Sequence, residues 1–164
     1  MAHGISIQAR IDGEIKTAHF ASAIKCPELK GAIKKVEKLQ EESRAAGMRE
    51  RMFQQRLEAV INSSEDVLAG RDPYATEEGF QKKLAESEAA NAALTVEREK
   101  ATAIGDKMNA AITEFFRTGF LGAGYPEEKL ESLLCGIDLE GYWPLRDRCL
   151  AGSGMVDFTK RDSN

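Results

Sequence analysis

Side chains that do chemistry are scarce in this chain: its 164 residues include three cysteines and two histidines. A zinc site needs four well-spaced ligands, and His3, His19, Cys26, Cys135 and Cys149 contain no short-spaced pair. An odd cysteine count without a CxxC pair speaks against a disulfide framework and for a reducing compartment. A thiol nucleophile needs a base beside it, and both histidines lie in the first 20 residues. No apolar run approaches the ~18 residues that a membrane span requires. The start, "MAHGISIQARIDGEIK", lacks a signal-peptide core and carries acids foreign to a transit peptide. Neither "MAHG" nor the final "RDSN" is a lipidation motif. Charge of one sign is missing too: a net −4 and a pI near 5.4 create no overall pull toward nucleic acid. These absences predict a soluble, cytoplasmic chain without metal, cofactor or catalytic residues, and not an enzyme.

What remains is rich in alanine, glutamate and lysine, the composition of long helices. The expected fold is mainly α, a long antiparallel helical hairpin with an N-terminal β-hairpin and a small C-terminal aromatic head. Residues 1–24 form the β-hairpin: Ile5, Ile7, Ala9 and Ile11 alternate with polar residues, and Asp12-Gly13 suits a type I′ turn. Residues 25–118 form the helical hairpin, with helices over 27–69 and 76–118 and a turn at about 70–75. Ala32, Leu39, Ala46, Phe53, Val60 and Val67 recur every seven residues, with Val36, Ser43, Glu50 and Leu57 as the companion row. On the second helix the rows are Phe80, Ser87, Leu94, Ala101, Met108 and Phe115, and Leu84, Asn91, Arg98, Gly105 and Ile112. Each helix would span ~60 Å. Gly70 suits a helix stop, and Thr76 or Asp72-Pro73 a restart. Glu50 and Arg98 fall near one another across the seam, either as a pair setting register or as two side chains reaching water. A bare helix pair leaves apolar surface wet, so a homodimer forming a four-helix bundle is expected, with outlying Met48 and Met52 in support.

Residues 119–154 read as the head, with "TGFLGAGYP" as a glycine-rich loop, short helices from Pro126 and Pro144, and 155–164 as a flexible tail. The glycines invite a phosphate, but no lysine-serine or lysine-threonine follows and Glu127-Glu128 would repel one. Arg146 and Arg148 flank Cys149 and would lower its pKa, although a small helix-core cysteine explains the position more simply. Tryptophan, tyrosine and arginine dominate binding hot spots, so Tyr142, Trp143, Arg146 and Arg148 are the candidate partner-binding residues. The stretch "CGIDLEGYWPLRDRC" is at the same time expected to be a cap in which Leu139, Tyr142, Trp143, Leu145 and Leu150 pack and the cysteines are passengers. The alternative surface is the basic half of the first helix, where Lys34, Lys35, Lys38, Arg49 and Arg51 would track a nucleic-acid backbone.

The stretch "FQKKLAESEAANAALTVEREKATAIGDKMNAAI", residues 80–112, resembles the coiled segments of Ead-like accessory proteins of lambdoid phages. It covers about a fifth of the chain and carries over no functional residue; the N-terminal strands and "GYWPLRDRC" lie outside that pattern. The resemblance implies a phage or prophage accessory protein that modulates or inhibits a host protein. With the scarcity of chemistry, it points to a non-enzymatic protein-interaction module, with nucleic-acid binding as the alternative and an enzyme as the second alternative.

Overall fold

A computed structural model describes residues 4–159; His3 and the last five residues of the expected tail lie outside the described residues. Strands β1 (Gly4–Ile11) and β2 (Glu14–Ala21) precede helices α1 (Glu28–Leu68) and α2 (Glu77–Gly122). Short helices α3 (Leu130–Cys135) and α4 (Tyr142–Ala151) and strand β3 (Gly154–Asp157) follow. The architecture is mainly helical: the two long helices pack against each other, with an N-terminal β-hairpin and a small aromatic C-terminal region. The chain divides into two compact units, one made from its ends up to Lys38 and from Lys107 onward, the other Leu39–Asp106. That partition cuts across the expected segments, because both long helices contribute to each unit.

In the first unit Asp12 and Gly13 adopt positive φ, 54° and 83°, and close the β1–β2 hairpin in the expected register. Ile5, Ile7, Ala9, Ala18 and Phe20 form its buried face. Phe20 enters an aromatic cluster, with its ring centroid 5.3 Å from both Phe115 and Phe120. Tyr142 meets Phe115 edge-on at 5.0 Å.

Two expectations fail here. The segment 118–126 is not a loop from its start, since α2 runs on to Gly122 and Gly124, at φ 99°, follows it. Helix persists because Phe115, Phe116 and Phe120 are all buried and hold the last turns on the sheet. Residues 154–157 are not a tail: β3 pairs parallel with β1, Val156 opposite Ile7, giving the order β2-β1-β3. Gly152 in the left-handed region, φ 89°, turns the chain out of α4, and the Phe158 amide then donates to the Gln8 carbonyl at 2.7 Å.

In the second unit Gly70, φ 72°, follows the end of α1, and Thr76 Oγ1 accepts from the Gly79 amide at 3.0 Å to cap α2. The first apolar row of each helix faces inward, and of the companion row on α2 Leu84 and Gly105 are half-buried while the middle is displaced. Glu97 is 7% exposed and Ile104 half-buried, whereas Asn91 and Arg98 face solvent. A companion three residues after Leu94 and Ala101, not four, is the a-to-d step of a heptad. It buries Ile104 and leaves Arg98 on the rim.

Candidate partner surface on the fourth helix

Helix α4 is positioned by its ends and by one stripe. Asp138 accepts from the Glu140 amide at 3.2 Å in the approach, and the α4 cap residue Gly141 leaves room that the Phe158 ring fills. At the other end the Gly152 amide donates to the Arg148 carbonyl at 2.9 Å. Tyr142, Leu145 and Cys149 recur at helical spacing and are wholly buried, whereas Leu139 and Leu150, expected to pack with them, fall off that stripe and are exposed. Tyr142 therefore leaves the partner-binding set: its ring belongs to the core, wedged between Phe115 and Trp143.

The other three residues remain at the surface. Trp143 is half-buried, 4.9 Å from the Tyr142 ring in an edge contact. The Arg146 guanidinium lies 5.0 Å over the indole and pairs with Asp147 at 2.9 Å. Arg148 is exposed, its methylenes lying against Gly154. The Trp143 indole is thus in contact with both the Tyr142 ring and the Arg146 guanidinium.

Burial pushes the Tyr142 hydroxyl well above the ordinary tyrosine value, and that buried oxygen has no hydrogen-bond partner among the described residues. Leaving such a group unpaired costs about 1–3 kcal/mol. Tyr142→Phe is accordingly expected to stabilise the fold by about 1 kcal/mol in urea denaturation. Because the folded pKa is raised, the neutral phenol's full stabilisation holds below the unfolded value and is lost as pH climbs through the folded one. The variant should lose less stability above pH ~10 than the parent.

Burial disfavours the thiolate at two of the three cysteines. Cys149 is pushed up to about 11 by burial, and Cys26 is raised by burial and by the Glu28 carboxylate. Among the described residues no three His, Cys, Asp or Glu side chains converge as metal ligands. A concavity of about 910 Å³ beside α3 brings Arg10 together with Asp138, Glu140 and Asp157. Three carboxylates around one guanidinium leave the concavity net negative, which repels an anion. Among the described residues no helix is long and apolar enough to cross a membrane.

The basic set lies wholly on α1 and falls in both units. Lys34, Lys35 and Lys38 are exposed in the first unit, without an ion pair among the described residues. Arg51 is exposed in the second. Arg49 is already engaged, its Nε 3.4 Å from Glu97 Oε2, and Lys100 Nζ approaches the other Glu97 oxygen at 3.4 Å. Glu97 is the buried charge that the sequence reading missed; Leu94-x-x-Glu97 in the heptad frame was its only signal. Arg98 Nε stands 3.5 Å from Glu50 Oε1 and its Nη2 donates to Gln54 at 2.9 Å. Both partners are partly exposed, so the pair contributes at most about 1 kcal/mol.

Comparison with known proteins finds no family model, no curated protein and no solved structure that matches this chain.

Proposed function

We propose that this chain is a non-enzymatic protein-interaction module that acts as a cytoplasmic homodimer and grips a protein partner through Trp143, Arg146 and Arg148. The observation that carries this reading is the half-buried indole in contact with the Tyr142 ring and the Arg146 guanidinium, on the same helix as an exposed Arg148. Aromatic and arginine side chains on a helix whose opposite face is core form an anchor that loses little entropy on binding. The likeness of residues 80–112 to Ead-like coils favours a phage or prophage accessory protein as the setting, with modulation or inhibition of a host protein as the outcome.

The test is capture from bacterial lysate, with and without nuclease, using the parent chain, Trp143→Ala and Arg148→Glu. A stoichiometric protein held by the parent should bind each variant at least ~10-fold more weakly, with helicity and melting of Arg148→Glu unchanged. Equal binding by both variants would remove the surface from consideration. If the captured material is nucleic acid that nuclease removes, the exposed Lys34, Lys35 and Lys38 take over the role, and affinity should fall steeply with salt.

A further inference from the structure

The outer face of α1 within the Leu39–Asp106 unit carries a second apolar rhythm that α2 does not cover. Ala45, Met48, Met52 and Ala59 follow one another at steps of three, four and seven and are all exposed. Met48 is 59% and Met52 52% exposed, among the most open apolar side chains of that unit. These steps are those of a coiled-coil seam, and unbranched methionines adapt to a self-facing contact.

We propose that this face joins two copies of the chain through an antiparallel contact between their α1 helices, with Met48 of each packed on Met52 of the other. The inference rests on the homodimer reading and specifies its surface and direction. Charges beside the seam select both the partner and the orientation. In an antiparallel pair, positions on one flank meet the same flank of the other helix. Glu42 then faces Arg56 of the second copy and Arg44 faces Glu58, and two-fold symmetry makes each pairing twice. All four of these side chains are exposed; Arg44 pairs with Glu41 at 3.2 Å and Glu58 accepts from Gln54 at 3.2 Å within α1, exposed contacts that the pairing between copies would share or replace.

A parallel pair would instead set Arg44 against Arg49 and Arg51 against Arg56, like charge on like. On the antiparallel axis Arg49 meets its own copy, but Glu97 at 3.4 Å already engages that charge. Arg51 also meets its copy there, and its charge opposes association. The surface is thus self-complementary in one direction with a single defect, which predicts that Arg51→Gln tightens the dimer.

Sedimentation equilibrium of the full chain tests this. The parent should associate to twice the monomer mass of 18.0 kDa at micromolar concentration. Met48→Lys combined with Met52→Lys should raise the dimer dissociation constant at least ~100-fold, with far-UV helicity retained because both side chains are exposed. Glu58→Arg alone should weaken the dimer ~10-fold, and adding Arg44→Glu should restore it, whatever becomes of the methionine variant. A parent that stays monomeric would overturn both the homodimer and this surface. A dimer untouched by the methionine changes would overturn the surface alone. Failure of the charge exchange to restore affinity would overturn the antiparallel direction.

Discussion

Phe115→Ala is expected to cost about 3–5 kcal/mol, the range for emptying a fully buried phenylalanine site. Phe115 has no exposed surface and lies at the centre of the head, with ring centroids of Phe20, Tyr142 and Phe116 at 5.3, 5.0 and 5.7 Å. Its neighbours come from β2, α4 and α2 itself, so no single element can close the cavity by shifting. Domains of this size hold about 5–15 kcal/mol in all, and the variant should lose a large fraction of it. Urea denaturation measures this as a lower midpoint with an unchanged slope. Phe80 is the internal comparison: it shares the heptad position but is only half-buried, and Phe80→Ala should cost far less. Equal losses at the two sites would contradict the assignment of Phe115 as the keystone of the aromatic cluster.

The second large effect is one of sign. Alanine for glycine inside a helix normally stabilises by about 0.5–1 kcal/mol. Gly105→Ala should do so, because a Cβ there meets nothing within 4 Å. At Gly119, in the same helix, a Cβ would overlap the Phe20 ring. Phe20 cannot retreat, being 1% exposed and flanked by Phe115 and Phe120. Gly119→Ala is therefore expected to destabilise by about 2–3 kcal/mol. Thermal melts of both variants check it: a higher melting temperature for Gly105→Ala and a markedly lower one for Gly119→Ala. Shortening the ring with Phe20→Leu in the Gly119→Ala background should recover part of the loss, since it removes the overlap. A stabilised Gly119→Ala protein would mean that α2 and β2 do not approach as closely as described.

Features legible in the residues are those decided by nearest neighbours in sequence. Asp12-Gly13 names its own turn, Gly70 and Thr76 end one helix and begin the next, and a heptad repeat declares two long helices. What escaped were choices that local propensity leaves balanced. Gly119 reads as loop until Phe20, a hundred positions away, needs the space it leaves. The tail reads as frayed because β3 has four residues and one buried side chain, and its ladder partner β1 lies at the other end of the chain. Tyr142 and Trp143 are adjacent and equally suited to a binding surface. Which of them is core follows only from how α4 sits on Phe115. Seam choice on α2 belongs to the same class: Glu97 and Arg98 are both long and charged, and the decision rests on where Arg49 and Glu50 stand on the opposing helix. Sequence by itself thus determined the β-hairpin and the two long helices, because backbone preferences and periodicity act over a few residues. Tertiary structure alone decided which glycine is a contact, which aromatic is buried and which charge lies inside, because those depend on side chains that only folding brings together.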